Sequence, residues 1–171
     1  MYPGHFAAGL ALKTIEPRSP TWALMVGVAL LDFLFGVFVL FRVEGGTIGH
    51  LNIPWSHSLA MSLLWSTLFA ACFWRLGRRV TMIIFAAVMS HWVLDALSHR
   101  PDILLWPTSG TPLGLAQYTG GLAGWFEILV CIAACVWYVR SALRTKAFGA
   151  SWAIACSVIG LMYVAEYIVV R

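Results

Sequence analysis

Charged side chains are scarce in this 171-residue chain, because Asp, Glu, Lys and Arg together make up only 11% of it. A soluble domain carries roughly 25% charged and 45–50% apolar residues, whereas this chain is 61% hydrophobic. The shortage excludes an ordinary soluble domain and predicts an integral membrane protein. The apolar runs are about 20 residues long and do not alternate with polar residues, which favours helices over the roughly 10-residue strands of a membrane barrel.

Cysteine is also sparse, and its positions argue against two kinds of site. All four cysteines lie within predicted spans, so none has the loop context of a disulfide framework or a zinc ribbon. The basic residues, which give a formal net charge of +4, are spread over short connections, and this argues against nucleic acid as a partner. Residues 1–12 hold no Lys or Arg, so we expect no cleavable signal peptide.

Five apolar runs are long enough, or nearly so, to cross about 30 Å of hydrocarbon as helices. We predict spans at 21–41, 58–74, 80–98, 121–139 and 150–170. Residues 3–14 predict a shorter helix with Pro3 near its start, and the segment 16–20 predicts a tight connection. The expected fold is all-α: a single polytopic membrane helix bundle over residues 1–171, with about five transmembrane helices plus a short N-terminal half-helix.

Lys and Arg are distributed unequally between the two ends of the predicted spans. The connections at 13–20, 75–79 and 140–149 carry eight of them, and the opposite side carries three. Because basic loops are retained in the cytoplasm, we expect the side with eight basic residues to be cytoplasmic. The protein would then cross the lipid bilayer, its expected partner, several times.

Ionisable side chains are expensive inside hydrocarbon, yet several lie in the predicted spans. His91 and Asp95 are four residues apart, so both lie on one face of a helix. Asp32 lies in the outer half of the first span and Glu127 in the outer half of the fourth. At about 1.5 Å per residue, these groups are roughly 5–14 Å below the outer surface.

Two further histidines are expected at the same level. His57 lies at the outer end of the second span, with Ser56 as the expected N-cap. If the chain turns at residues 18–19, His5 and Asp32 are each about 13 residues from the turn and lie level on neighbouring antiparallel helices. Six ionisable groups from five segments then fall in the outer half of the bundle: His5, Asp32, His57, His91, Asp95 and Glu127.

Several roles suit a His–Asp pair in a membrane. The pair could hold two helices together through a hydrogen bond, relay protons, or bind a divalent metal, because imidazole and carboxylate are ordinary ligands for Zn²⁺, Mn²⁺ and Fe²⁺. Three histidines and two aspartates exceed one tetrahedral shell, which leaves room for a second metal or for a residue that only orients a ligand. Glu127 is either a ligand or general base, or a buried carboxylate paired with Arg100.

These motifs together resemble those of the bacterial membrane-bound metal-dependent hydrolases. They are Gly4-His5, Asp32 in the next helix, Pro54-Trp55-Ser56-His57-Ser58-Leu59 and Ser90-His91-Trp92-Val93-Leu94-Asp95. The resemblance covers roughly residues 1–130, with Ser56 where the family usually has Thr. It implies a compact helical domain of the bacterial inner membrane with a metal centre held by His5, Asp32, His57, His91 and Asp95.

We therefore expect a metal-dependent hydrolase, with zinc as the most suitable ion and manganese or iron as alternatives. Activated water would attack a phosphoester or similar bond, with Glu127 as candidate general base, and the depth of the site favours a lipid or lipid-linked substrate on the outer-leaflet side. Two other classes stay open: a proton- or cation-coupled transporter, and a non-catalytic membrane scaffold. The sequence indicates neither the oligomeric state nor the individual substrate.

Overall fold

A computed structural model describes residues 3–47, 50–98, 102–108, 110, 112–114 and 122–145 of the chain. This part holds six helices and one small hairpin, and a 3₁₀ turn (Trp74–Leu76) precedes the fifth helix. In chain order the elements are α1 (Pro3–Ile15), α2 (Thr21–Leu40), β1 (Gly45–Thr47), β2 (His50–Asn52), α3 (Pro54–His57), α4 (Leu59–Ala71), α5 (Arg78–Ser98) and α6 (Leu122–Thr145). The helical character that the composition predicted is confirmed, and the hairpin is an addition to it.

Two of the described helices, Thr21–Leu40 and Arg78–Leu97, are long and apolar enough to cross a membrane. Buried residues make up only 28% and 33% of their most apolar windows, whereas an apolar helix at the core of a soluble protein is mostly buried. Their exposed faces carry large apolar side chains, among them Trp22, Phe33 and Met82. These faces suit contact with lipid tails.

The predicted count of five spans is not confirmed within the described ranges. Helix α4 has 13 residues, which at about 1.5 Å per residue cover roughly 20 Å, so it is shorter than the predicted span 58–74. Helix α6 coincides with the predicted span 121–139 from residue 122 onward and continues to Thr145. The predicted span 150–170 lies outside the described residues.

Arg42 forms a tight reversal at the end of α2. Its φ of +58° is in the left-handed region, which residues with a Cβ adopt at a cost of roughly 1–2 kcal/mol. The Arg42 amide donates to the Val39 carbonyl (3.0 Å) and the Val43 amide to the Phe38 carbonyl (2.8 Å). These two bonds are those of a Schellman helix end, and they turn the chain from α2 towards β1.

The hairpin brings the chain back to the end of α2. Strands β1 and β2 pair antiparallel, with Gly45 opposite Asn52. Glu44 and Ile53, which directly flank this pair, are therefore neighbours at the open end of the ladder. Because Pro54 begins α3 immediately afterwards, the Glu44 side chain lies beside the first turn of that helix.

Ser58 separates α3 from α4. Its ψ of 150° is extended backbone, so the two helices are distinct, and its Oγ accepts a hydrogen bond from the Met61 amide (3.4 Å) as the N-cap of α4. The prediction that Ser56 caps this span is therefore wrong, because Ser56 lies inside α3.

Two buried apolar clusters hold the helices in place. One joins α1 to α6 and the other joins α2, α4 and α5. Packing between membrane helices relies on small side chains that allow close approach, and Gly27 provides this between α2 and α5, because a Cβ there would lie 3.4 Å from Ala87 Cβ. Gly9 does the same between α1 and α2, because a Cβ there would lie 2.8 Å from Met25 Cε.

An ionic cluster joins the end of α1, the connection at residues 16–20 and the start of α5, at the end of the bundle opposite the hairpin. The buried Glu16 carboxylate accepts a hydrogen bond from Arg18 Nε (2.9 Å) and pairs with Arg79 Nε at the start of α5 (3.1 Å). Lys13 Nζ donates to the carbonyls of Pro17 (2.6 Å) and Ser19 (2.7 Å). The tight connection predicted for residues 16–20 is present, and these contacts fasten it to α5.

Candidate metal centre

The five residues predicted as metal ligands come together at one end of the bundle. His5 is at the start of α1, Asp32 in the second half of α2, His57 at the end of α3, and His91 and Asp95 one turn apart on α5. Four of these side chains are almost fully buried, whereas Asp32 keeps 27% of its side chain exposed. His5 and Asp95 are 90 residues apart in the sequence, and the packing of α1 against α5 brings their side chains into contact.

Asp95 is at the centre of the cluster. Its Oδ1 lies 3.0 Å from His5 Nε2, and its Oδ2 lies 3.1 Å from His91 Nε2 and 3.5 Å from His57 Nε2. One carboxylate therefore contacts imidazoles from three different helices. The rings are close to each other as well, with centroids 4.3 Å apart for His5 and His91 and 5.4 Å apart for His57 and His91.

Asp32 completes the cluster from α2. Its Oδ1 lies 3.5 Å from His57 Nε2 and 3.6 Å from His91 Nε2. Its Oδ2 is buried and has no hydrogen-bond partner among the described residues. Since Asp32 is also the most exposed of the five side chains, the cluster opens towards solvent or lipid on its side.

The protonation of His91 is fixed by a backbone group. Its Nδ1 lies 2.6 Å from the carbonyl oxygen of Val28, which can only accept, so Nδ1 carries the proton. In a neutral ring Nε2 then presents a lone pair. Nε2 is buried without a hydrogen-bond partner in the described structure, although it lies close to oxygens of Asp95 and Asp32.

The protonation of His57 is fixed through Ser56. The Ser56 hydroxyl donates to Glu44 Oε2 (2.7 Å), and its oxygen lies 2.7 Å from His57 Nδ1. A hydroxyl has one proton, so Ser56 accepts from His57 and Nδ1 is the protonated nitrogen. In a neutral ring, His57 Nε2, like that of His91, then directs a lone pair at the carboxylates of Asp32 and Asp95.

The spacing of these atoms suits a shared cation. A tetrahedral ion with bonds of about 2.0–2.2 Å separates its ligands by about 3.3–3.6 Å, and three of the five distances from imidazole Nε2 to carboxylate oxygen are 3.5–3.6 Å. The other two, from Asp95 to His5 and His91, are hydrogen-bond distances of 3.0 and 3.1 Å. Two overlapping triads meet the spacing that a metal needs, His5 with His91 and Asp95, and Asp32 with His57 and His91. Lone pairs that face carboxylates repel unless a proton or a metal cation lies between them.

Glu127, the predicted general base, belongs to α6. Its side chain lies outside the described residues, as does Arg100, its predicted alternative partner.

Three contributors to the site were not predicted from the sequence. They are the Val28 carbonyl, the hydroxyl of Ser56 as a partner of His57, and the Glu44 carboxylate. A backbone carbonyl leaves no trace in a sequence. Glu44 had a usable signal, since an acidic residue opens a Gly-rich segment that precedes the motif holding His57.

Comparisons with other proteins identify the family. No curated protein and no solved structure matches this chain. A family of bacterial inner-membrane proteins matches it from residue 2 to residue 169, nearly its whole length. The exposed apolar faces of α2 and α5 agree with that location. The chain therefore belongs to the YdjM inner membrane protein family.

Proposed function

We propose that this protein is a metal-dependent hydrolase of the inner membrane. One divalent ion, with zinc as the most suitable and manganese or iron as alternatives, would be held by His5, Asp32, His57, His91 and Asp95. The observation that carries the proposal is the orientation of two buried imidazoles. Both His57 and His91 have Nδ1 committed to a neighbouring acceptor and turn Nε2 towards carboxylate oxygens 3.1–3.6 Å away.

Charge supports a single divalent ion. Two carboxylates among neutral imidazoles leave a charge of about −2 in a region where uncompensated charge is expensive. One divalent cation cancels it, whereas two such ions would leave an excess of about +2 unless further anionic ligands joined them. Two protonated histidines would also cancel it, and the experiment below separates these cases.

The chemistry follows from the ion and from the chain's own residues. When bound, such an ion supplies a Lewis acid that activates water and polarises a phosphoryl or acyl oxygen. Val28 and Ser56 hold the two imidazoles in orientation, and Asp32 lies on the accessible side of the cluster. We assign the role of general base to Glu127, which α6 carries near its start.

The depth of Asp32 along α2 indicates the class of substrate. Asp32 is eight residues before the end of α2 at Leu40, so it lies roughly 12 Å along the helix from that end. A reacting group that reaches it enters the membrane zone, which favours the phosphoester of a lipid or a lipid-linked molecule. The basic connections lie at the other end of the bundle, so the positive-inside rule assigns the cluster to the outer-leaflet side.

The first test is the metal content of the purified protein. We expect elemental analysis after equilibration with zinc and desalting to give about one ion per chain. The variants H91N and D95N should bind none. E16Q is a matched control, because it also neutralises a buried carboxylate but at the opposite end of the bundle, and it should retain the ion.

The second test concerns turnover. We expect metal-dependent release of phosphate from vesicles that contain phosphatidic acid, or of nitrophenolate from a nitrophenyl phosphodiester, and loss of both in H91N. Wild-type protein without a transition metal, or undiminished metal in the H91N/D95N double variant, would overturn the metal centre. Proton or cation flux in proteoliposomes that continues without metal, with no hydrolysis of either substrate, would favour transport instead.

A further inference from the structure

We infer that Glu44 is a positioning residue for His57, acting through the hydroxyl of Ser56. This inference rests on the proposed metal centre in one respect only, namely that the purpose of the orientation is to present His57 Nε2 to an ion. The contacts themselves are independent of any ion.

The direction of the hydrogen bonds carries the argument. Every described contact of the Glu44 carboxylate is with a donor: Oε1 accepts from the amides of Trp55 (2.6 Å) and Ser56 (2.8 Å), and Oε2 accepts from the Ser56 hydroxyl (2.7 Å). Because the hydroxyl proton is used there, Ser56 Oγ can only accept from His57 Nδ1. Glu44 thereby decides which nitrogen of His57 carries the proton.

The two carboxylate oxygens of Glu44 have different tasks. Oε1 satisfies amides in the first turn of α3, which a short helix leaves without internal partners, and this is a structural role. Among the described atoms, Oε2 accepts a hydrogen bond from Ser56 Oγ alone, and through it Glu44 is linked to His57. Carboxylates that orient a metal-bound imidazole in this way typically contribute 10–100-fold to metal affinity.

The fold delivers Glu44 to this position by two devices. The left-handed Arg42 ends α2 two residues earlier, and the pairing of Gly45 with Asn52 brings residue 44 beside the start of α3. Glu44 is 6% exposed, so the contact is shielded from water. A glutamate that was simply exposed to solvent on a loop would require neither the left-handed turn at Arg42 nor the pairing of Gly45 with Asn52.

The isosteric variant E44Q reverses the relay. With the amide oxygen kept on the backbone amides, the amide nitrogen faces Ser56 Oγ as a donor. The hydroxyl proton is then released from residue 44 and can be donated to His57 Nδ1, which moves the His57 proton to Nε2, the atom that faces the cluster. The variant S56A removes the relay but leaves the Oε1 contact to the Trp55 amide in place.

The test measures the tautomer and the metal affinity separately. In metal-free protein with ¹⁵N-labelled histidine, we expect the NMR shifts of His57 to change from the Nδ1–H to the Nε2–H tautomer in E44Q. We expect its zinc Kd, measured by competition with a chromophoric chelator, to rise 10–100-fold. E44Q/S56A should bind zinc no more weakly than the weaker single variant, since both substitutions interrupt one relay. E16Q should resemble wild type in both measurements.

Two outcomes distinguish this inference from the proposed function. An unchanged His57 tautomer in E44Q, together with a zinc Kd within twofold of wild type, would overturn the role of Glu44 and leave the metal centre intact. A tautomer change in E44Q with no zinc binding by wild type would support the role of Glu44 and overturn the metal centre. A loss of thermal stability alone would mean that Glu44 only caps α3.

Discussion

His91 donates a hydrogen bond from Nδ1 to the Val28 carbonyl at 2.6 Å, across the interface between α5 and α2. In an α-helix the carbonyl of residue 28 also accepts from the amide of residue 32, so the same oxygen serves His91 and the backbone of Asp32. This bond therefore fixes the height of α5 against α2 and with it the level of His91 relative to Asp32. Two residues of the proposed metal centre are aligned by a backbone atom that no side-chain substitution removes.

Metal removal should lower the stability of the folded protein. A ligand that binds only the folded state contributes about 2.7 kcal/mol when its free concentration is 100-fold above Kd. We expect a chelator to lower the thermal midpoint in detergent, followed by tryptophan fluorescence, and zinc to restore it. H91N should respond to neither treatment. An equal chelator effect on H91N would mean that the chelator acts elsewhere.

Substitution of Asp95 should reduce zinc affinity and stability more than substitution of Asp32. Asp95 contacts three imidazoles and is 2% exposed, whereas Asp32 contacts two and is partly open. We expect D95N to abolish zinc binding and to be less stable than wild type by about 3–5 kcal/mol, since a buried charged network loses its shared partner. D32N should bind zinc with reduced affinity and fold nearly as well as wild type. Elemental analysis and thermal unfolding of both variants check this order, and the reverse order would contradict it.

Arg42 should be replaceable by glycine with a gain in stability. Glycine adopts the left-handed conformation of this position without the cost of roughly 1–2 kcal/mol that Arg42 incurs. Part of the gain is offset because glycine is more flexible in the unfolded chain, so we expect R42G to stabilise by about 1 kcal/mol in thermal or denaturant unfolding. R42A, which removes the charge but keeps the Cβ, is the matched control and should give no gain.

Glu16 should make stability depend on pH at the basic end of the bundle. Hydrogen bonds from Arg18 lower the pKa of Glu16 below its ordinary value of 4.5, and the charges of Arg18 and Arg79 act in the same direction. A lowered pKa means that the stabilisation is fully present above pH 4.5 and is lost as the pH falls through the folded-state pKa. We expect the wild-type thermal midpoint to fall below pH 4.5 more steeply than that of E16Q. Parallel profiles would show that Glu16 contributes nothing in this range.

The orientation of the bundle can be tested by cysteine labelling. In a chain from which the four native cysteines have been removed, Asn52 and Arg75 are exposed sites at opposite ends of α4. We expect N52C to react with a membrane-impermeant maleimide in intact cells, and R75C to react only after the inner membrane is permeabilised. The opposite pattern would put the histidine–aspartate cluster on the cytoplasmic side.

The sequence was sufficient to predict which side chains meet, because the level of a residue in the bundle follows from its number of residues from the end of its helix. His91 and Asp95 follow from the period of the helix, and the level of His5 follows from its distance to the turn. The cluster in the structure joins all five predicted residues. Their role as ligands stays a prediction, as does the catalytic role of Glu127.

The sequence was insufficient where a contact depends on a non-helical segment. The link from Glu44 to Ser56 requires the strand register that places Gly45 opposite Asn52, and the segment 44–54 reads as a Gly-rich loop. The extended conformation of Ser58 is similarly invisible in the sequence, so the sequence does not predict the separate short helix α3 that holds His57. Short strands and single-residue breaks are set by tertiary contacts, which outweigh local propensity.

The break at Ser58 separates the histidine–aspartate cluster from α4, a helix of 13 residues. The first amides of α4 donate to the carbonyls of Leu104 (3.0 Å) and Leu105 (3.1 Å), so this end of the helix is pinned. A helix shorter than the hydrocarbon layer is accommodated by thinning of the surrounding bilayer or by snorkelling of its flanking residues. Such adjustments would act first at the Ala71 end of α4, because its Leu59 end is pinned and the His57 imidazole belongs to α3. We therefore expect bilayer thickness to affect α4 more than the arrangement of the histidine–aspartate cluster.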